Sequence, residues 1–300
     1  MKLFYSPEYE ADIGDHVFPT RKFGLVAARF AGALDIADPG PAPRADLELA
    51  HTREWVAKIL DGGATLDDEM RMEMPWSQEL ARSHVVQVAG TYAAGREALA
   101  TGLGLHAGGG SHHAFAGHGE GFCVFNDLAC ALLKLRREGR LERAAVIDLD
   151  VHQGNGTAAI LAPHADLATF SMHQEDIYPL HKPSSSRDIG LPAGTTDDKY
   201  LKLLAAELDP FLEEYAPQLV LYQAGVDCWE GDVLGGLRLT RAGVAARDER
   251  VFAACFSRGI PAAVTLGGGY AAQLEDTVGL HAATFAAAME CRRRQWRDGT

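Results

Sequence analysis

The chain alternates short apolar runs with longer segments of helical periodicity. Four apolar runs predict buried β-strands, over residues 144–150, 167–171, 218–223 and 261–266. Amphipathic segments with capping residues predict helices over about 79–100, 127–138, 197–215 and 240–258. Strands that alternate with helices are typical of βαβ crossovers. The sequence therefore predicts an α/β fold with a mostly parallel sheet, flanked by helices on both faces and formed by a single domain, residues 1–300.

Two segments interrupt this alternation. Residues 38–44 (DPGPAPR) are short and proline-rich and predict a surface loop. Residues 174–196 are long and polar and contain Pro179, Pro183 and Pro192, which predicts an extended irregular loop. Loops of this length inside a compact domain are usually functional, so we expect it to shape the entrance to a site.

Composition and charge narrow the class of protein. Hydrophobic residues make up 47% of the chain and charged residues 23%, which is typical of globular proteins. The formal net charge of -13 disfavours nucleic acid or anionic lipid as a partner. The chain has no apolar run long enough to span a membrane and no signal-peptide core, so we expect a cytoplasmic protein. Its five cysteines form no CxxC pair and predict reduced, mostly buried thiols: Cys123, Cys130, Cys228, Cys255 and Cys291.

Polar residues follow all four predicted strands. In chain order they are Asp148, Asp150 and His152, then Ser171 and His173, then Asp227, then Tyr270. In parallel sheets, ligands bind outside the carboxyl ends of the strands. The sequence therefore predicts a site at this edge of the sheet.

The first of these groups has the spacing of a metal site. In an extended segment, Asp148, Asp150 and His152 share one face because they alternate with apolar residues. A carboxylate and an imidazole suit Zn²⁺, and Asp227 is the natural third ligand, which leaves a coordination position open. The alternative is that Asp148 caps a loop and His152 packs in the core.

Other candidates are adjacent histidines and three aromatic residues. His112 and His113 follow a glycine-rich turn and suit acid/base chemistry, although a surface pair is an alternative. The turn matches neither phosphate-binding glycine pattern, so the sequence does not favour a phosphate site. Tyr270, after three glycines, could donate a hydrogen bond to an oxyanion or fill the core. Phe122 and Tyr178 could line a tunnel or belong to the core.

Five segments occur in the order seen in zinc-dependent histone deacetylases, of the arginase/deacetylase superfamily: residues 112–113, 121–127, 148–157, 224–227 and 267–270. Three further segments are similar to the class IV-like branch found in bacteria: residues 75–77, 176–179 and 188–192. The resemblance implies an arginase/deacetylase-like fold and an enzyme that removes acetyl or longer acyl groups from lysine side chains. The acidic rim residue that grips the substrate backbone in peptide-acting members has no counterpart that the sequence identifies.

The resemblance also implies ions and a substrate tunnel. Asp150, His152 and Asp227 would hold one Zn²⁺ per chain. Gly121, Phe122 and Tyr178 would line the tunnel for the acyl-lysine. A structural K⁺ would lie near Asp148, held with backbone carbonyls of Asp150, His152, Ser171 and Met172.

Five residues would carry the chemistry. His113, oriented by Asn155, would be the general base that deprotonates the attacking water and later protonates the leaving amine. Asn155 stands where class I enzymes have an aspartate, so this partner is a neutral amide. His112, paired with Asp148, would act mainly electrostatically, although the division of labour between the two histidines is open. Tyr270 would donate a hydrogen bond to the carbonyl oxygen.

The substrate and some rival functions stay open at this point. An acylated lysine in a protein or peptide is the first hypothesis, and an acetylated polyamine or another small acylated amine is the alternative. Arginase-like chemistry with two Mn²⁺ ions needs more metal-binding residues than the chain aligns. A non-catalytic acyl-ligand or metal sensor is disfavoured because all the residues that catalysis requires are present. The sequence does not predict the oligomeric state.

Overall fold

The structure is a computed structural model that describes the backbone of residues 1–298 and the side chains of residues 1–295. Its strands are β1 (Lys2–Phe4), β2 (Asp35–Ala37), β3 (Leu103–His106), β4 (Ala144–Asp148), β5 (Leu167–Gln174), β6 (Arg187–Leu191), β7 (Val220–Gln223) and β8 (Ala262–Thr265). They form one sheet in the order β2-β1-β3-β8-β7-β4-β5-β6. Every strand pair is parallel. The predicted α/β class and parallel sheet are confirmed.

The helices are α1 (Lys22–Ala28), α2 (Arg44–Leu47), α3 (Arg53–Leu60), α4 (Leu66–Met72), α5 (Gln78–Thr101), α6 (Asp127–Arg137), α7 (Asn155–Leu161), α8 (Asp197–Tyr215), α9 (Arg241–Ser257) and α10 (Leu274–Asp298). Capping side chains explain several of their starts. The side chains of Ser77, Asn126 and Thr240 each accept a hydrogen bond from a backbone N–H in the first turn of α5, α6 and α9. Among the described residues, no helix is long and apolar enough to cross a membrane.

The core has two halves, one on each face of the sheet. Along β4, Ala145 and Ile147 belong to one buried cluster, whereas Ala144 and Val146 belong to the other. The first cluster includes side chains of α1, α8, α9 and α10, and the second includes side chains of α3, α5, α6 and α7. Successive side chains of a strand point to opposite faces, so these apolar runs are buried on both sides. The prediction of helices on both faces is confirmed.

The irregular segment predicted for residues 174–196 is partly wrong. Gln174 is the last residue of β5, and Arg187–Leu191 forms β6, which pairs with β5 at the edge of the sheet. Because an edge strand is half solvated, its charged residues resemble a loop in the sequence. The strands β1, β2 and β3 also lacked a detectable pattern, because β1 and β2 have three residues each and β3 (LGLH) includes a glycine and a histidine.

The strand order places four carboxyl ends side by side. β8, β7, β4 and β5 are consecutive in the sheet, and β3 is next to β8. The segments that follow these five strands carry most of the candidate site residues. The fold thus brings together positions that are far apart in the chain.

Candidate active site

Three metal-ligand candidates meet beyond the ends of β4 and β7. The side chains of Asp150, His152 and Asp227 are buried, and one ligand atom from each lies within 4.8 Å of the others. His152 Nδ1 is 3.1 Å from Asp150 Oδ1 and 3.2 Å from Asp227 Oδ2. The structure therefore brings together the three residues that the sequence predicts as ligands of one ion.

Hydrogen bonds also hold the carboxylates of Asp150 and Asp227, on the oxygens that do not face His152. Gly268 N and Gln223 Nε2 donate to Asp150 Oδ2 at 2.8 Å and 3.1 Å. Val151 N donates to Asp227 Oδ1 at 2.8 Å. These bonds fix the carboxylate orientations and occupy the oxygens that do not face His152. Gln223, at the end of β7, is a contributor that the sequence analysis missed.

The charges at this cluster favour a cation. Burial and the neighbouring Asp150 raise the pKa of Asp227 to about 7. Burial lowers the pKa of His152, but hydrogen bonds to Asp150 and Asp227 outweigh it and raise the pKa to about 10. Two buried carboxylates so close together require positive charge, which protons or a divalent cation can supply. Two carboxylates and an imidazole form a donor set that fits Zn²⁺.

The histidine pair lies beside this cluster, on the segment that follows β3. The His112 and His113 rings are 4.0 Å apart between centroids. His112 Nδ1 lies 2.7 Å from Asp148 Oδ2, and His113 Nδ1 lies 2.6 Å from Asn155 Oδ1. Both pairings are those that the resemblance implies. The hypothesis of a surface pair is wrong, because both histidines are buried.

A glycine brings this segment close to the one that follows β8. Gly110 has φ of +87°, a left-handed conformation that favours glycine. A Cβ at this position would lie 2.7 Å from Gly267 Cα. Any side chain would push the histidine segment away from the segment that leads to Tyr270. The turn therefore requires glycine because two backbone segments approach each other closely here, and not because it binds a phosphate.

The two histidines have opposite pKa shifts. Burial lowers the pKa of His112, but the charges of Asp148 and Asp150 outweigh it and raise the pKa to about 9. Burial and the neighbouring imidazoles His112 and His152 hold the pKa of His113 well below its usual value. Without a bound metal ion, these shifts favour a protonated His112 and a neutral His113 at neutral pH.

A cavity of about 220 Å³ leads to this chemistry. Its lining includes the predicted tunnel residues and three that the sequence analysis missed; the full set is Glu73, His113, Gly121, Phe122, His152, Ile177, Tyr178, Leu234 and Tyr270. Gly121 has φ of +51°, and a Cβ there would lie 2.7 Å from the Tyr178 hydroxyl. This part of the wall therefore requires a glycine, because the Tyr178 ring packs directly against it.

Tyr270 is fixed at the inner part of the cavity. Its backbone N–H donates to Asp232 Oδ2 at 2.6 Å, and its ring packs against Phe18 and Phe122. Burial and the charge of Asp150 raise the pKa of its phenol well above the usual value. The hydroxyl therefore remains a hydrogen-bond donor at all ordinary pH values.

A buried lysine supports the segment before Tyr270. Lys22, in α1, is fully buried, and its Nζ donates to the Gly267 carbonyl at 2.6 Å. The same Nζ lies 5.6 Å from the centre of the Tyr270 ring. The sequence analysis missed Lys22 because its partner lies 245 positions away, and a single lysine gives no local signal.

The residues predicted for a potassium site also lie together. In the sheet register, Ser171 of β5 is opposite Asp148 of β4, and Met172 follows it. Asp148, Ser171 and Met172 are all buried. The presence of K⁺ stays a prediction.

Comparisons with known proteins show the family and the fold of the chain. A family model described as the histone deacetylase domain matches residues 20–285. An uncharacterized protein of Picosynechococcus sp. is 39% identical over 294 residues, which cover 96% of this chain and 98% of that protein. Histone deacetylase 2 of Arabidopsis thaliana is 30% identical over 289 residues, which cover 90% of this chain and 74% of that protein. The fold is similar to the crystal structure of the HDA15 HD domain, with a TM-score of 0.77, 20% identity and coverage of 97% and 90% of the two chains.

Proposed function

The chain belongs to the histone deacetylase family, and on that premise we propose that it is a Zn²⁺-dependent enzyme that removes acetyl or longer acyl groups from lysine side chains. Family membership supports the general class, a hydrolase of the deacetylase type. One observation carries the finer proposal: the buried cluster of Asp150, His152 and Asp227 adjoins a cavity that also contains His113 and Tyr270.

The donor set and the charges support a role for a metal. When bound, a divalent cation would lower the pKa of water and polarise the substrate carbonyl. Asp150, His152 and Asp227 would hold it, because their ligand atoms already converge and their combined charge requires a cation. Three protein ligands leave room for a water or a substrate oxygen, as catalytic sites require.

The protein's own groups suit the proton transfers of amide hydrolysis. His113 is neutral, and its Nδ1 is engaged by Asn155, which leaves Nε2 able to accept a proton from the attacking water. The same nitrogen can then protonate the leaving amine. Tyr270 can donate a hydrogen bond to the developing oxyanion. His112, as a cation, adds positive charge nearby.

The cavity favours an extended amine with an acyl group at its inner end. Phe122 and Tyr178 provide aromatic walls that suit the methylene groups of a lysine side chain. Glu73 lines the same cavity and is exposed, so its carboxylate lies towards the outer end. A carboxylate there could accept a hydrogen bond from a peptide N–H, and it could also attract the ammonium group of a polyamine.

The test is an assay of metal-depleted protein reconstituted with Zn²⁺, with an acetyl-lysine peptide and acetylputrescine as substrates. We expect activity to require the metal, with one zinc per chain, and kcat/KM to be higher for the peptide. A marked preference for acetylputrescine would overturn the lysine proposal, and two bound manganese ions would overturn the metal assignment.

A variant tests the role of Tyr270 separately. Tyr270→Phe should reduce kcat by about 10²–10³, the usual effect of removing one oxyanion donor. Its zinc content should remain that of the wild-type protein, because the phenol is not among the three convergent ligands. Wild-type protein as inactive as this variant would favour the sensor function instead.

A further inference from the structure

The partner of His113 is an amide, and an amide can be placed in two orientations. With the oxygen towards the ring, His113 must carry its proton on Nδ1. With the NH₂ group towards the ring, Nδ1 must be unprotonated, and Nε2 would carry the proton instead. Only the first orientation leaves Nε2 free to act as a base, so something must select it.

Glu120 makes that selection. Asn155 Nδ2 donates to Glu120 Oε1 at 2.7 Å, while Asn155 Oδ1 lies 2.6 Å from His113 Nδ1. An ionised carboxylate can only accept hydrogen bonds, so the atom of Asn155 that faces it must be the NH₂ group. The oxygen must then face His113, whose Nδ1 must donate.

We propose that Glu120 is a positioning residue that sets the tautomer of His113 through the Asn155 amide. Its importance for catalysis rests on the function proposed above, but the tautomer itself does not. The glutamate does not touch His113, and it acts only through Asn155. The negative charge that a directly bonded aspartate would place on the ring is thereby moved one amide further away.

Other contacts keep this carboxylate ionised and in place. Tyr178 OH donates to Glu120 Oε1 at 2.9 Å, and His118 Nε2 lies 3.3 Å from Oε2. Burial raises the pKa of Glu120, but the hydrogen bonds from His118, Asn155 and Tyr178 outweigh it and lower the pKa below its usual value. Glu120 is therefore an acceptor throughout the neutral range.

The backbone fixes Glu120 relative to the cavity. Glu120 and Cys123 exchange two backbone hydrogen bonds, of 3.0 Å and 2.9 Å, across a tight turn. The same turn places Gly121 and Phe122 in the cavity wall. The same turn thus contributes to the cavity wall and also holds Glu120, which orients His113 through Asn155.

The experiment exchanges the carboxylate and the amide between Glu120 and Asn155. In Asn155→Asp, two carboxylates would face each other where Asn155 Nδ2 and Glu120 Oε1 are now 2.7 Å apart. In the double variant Glu120→Gln with Asn155→Asp, the NH₂ group of the introduced glutamine donates to the introduced aspartate, whose other oxygen accepts from His113 Nδ1. Because both substitutions preserve size, the double variant tests the proposal even if a truncation fails to fold.

We expect Glu120→Ala to reduce kcat by more than about tenfold with little change in KM, since a wrong tautomer in a comparable triad costs more. Asn155→Asp should also reduce kcat, but for another reason: it keeps an acceptor for His113 Nδ1 and places two carboxylates against each other. The double variant should keep the wild-type tautomer and recover a kcat clearly above that of Asn155→Asp. Because its aspartate contacts the ring directly, the pKa of His113 should rise, and the acid limb of the pH profile should move to higher pH. Glu138→Ala is the matched control, because Glu138 also accepts from a tyrosine, Tyr92, and is similarly exposed, at 29% against 23%. It should leave kcat unchanged.

A second measurement does not depend on activity. ¹⁵N-histidine NMR, with the His113 signals assigned from a His113→Phe spectrum, should show Nδ1 protonated in the wild-type protein and in the double variant. Glu120→Ala should populate the other tautomer. A wild-type tautomer in Glu120→Ala, or a double variant as inactive as Asn155→Asp, would overturn the proposal. Wild-type protein without deacylase activity but with this tautomer shift would contradict only the proposed function.

Discussion

The adjacent histidines His112 and His113 have hydrogen-bond partners of different charge. His112 contacts the Asp148 carboxylate, whereas His113 contacts the Asn155 amide, at nearly equal distances of 2.7 Å and 2.6 Å. Burial lowers the pKa of both rings, but only His112 has a directly bonded charge that reverses the effect. The carboxylate partner thus contributes to the raised pKa of His112, whereas the amide partner leaves burial and the neighbouring imidazoles to lower the pKa of His113.

Groups whose surroundings push their pKa values apart can divide acid and base roles between them. On the His112 side, the negative charge is in direct contact with the ring. On the His113 side, it belongs to Glu120, behind the Asn155 amide. Both histidines therefore have a carboxylate nearby, and what distinguishes them is the distance from that carboxylate to the imidazole ring.

The largest effect should come from removing the neutral histidine. His113→Ala should reduce kcat/KM by about 10³, within the usual range for losing a general acid/base. The metal content should be unchanged, because His113 is not among the convergent ligands. Steady-state kinetics with zinc analysis tests this. If His113→Ala had a smaller effect than His112→Ala, His112 rather than His113 would be the base.

His112→Ala should have a smaller effect. The ring is already protonated at neutral pH and so contributes charge rather than accepting a proton. Loss of an interaction with a charged group costs about 1.5–3 kcal/mol, which corresponds to a ten- to hundredfold fall in kcat. The measurement is kcat at neutral pH beside His113→Ala in the same buffer. A loss as large as that of His113→Ala would show that both histidines transfer protons.

The dependence of kcat/KM on pH should further distinguish His112 from His113. The pKa of His112 is raised to about 9, so its positive charge is present below that pH and is lost as the pH rises through it. We expect kcat/KM to fall on the alkaline side at or below pH 9, because a bound cation would lower this pKa further. Asp148→Asn removes the largest charge that raises the pKa, so the alkaline fall should move by about one pH unit or more towards neutrality. An unchanged alkaline limb would show that another group controls it.

The sequence was sufficient to predict that Asp150, His152 and Asp227 converge, because the signals that place them are local. Asp150 and His152 share one face of an extended segment, and Asp227 follows a strand that was predicted correctly. The residue types then limit the chemistry. The same alternation of apolar runs and helices predicted the parallel sheet, but it did not predict the strands β1, β2 and β3 or the solvated edge strand β6.

The supporting residues could not be predicted, because their signals depend on distant partners. Glu120 meets Asn155 from 35 positions away, and Lys22 meets Gly267 from 245 positions away. A single glutamate beside a glycine is usual on any surface, and a single lysine is rarely buried. Only the folded chain shows that one orients an amide and the other supports the segment before Tyr270.

The smallest predicted effect concerns the link between the cavity wall and His113. Tyr178→Phe removes the donor that lies 2.9 Å from Glu120 Oε1 but keeps the ring in the wall. One such hydrogen bond contributes about 0.5–1.5 kcal/mol, so kcat should fall by only two- to tenfold. Glu120 retains Asn155 and His118 as partners, and the His113 tautomer should therefore persist in the ¹⁵N spectrum. If Tyr178→Phe instead changed the tautomer, Tyr178 rather than Asn155 would be the contact that holds Glu120 in position, and the His113 side would depend on the cavity wall as much as the His112 side depends on Asp148.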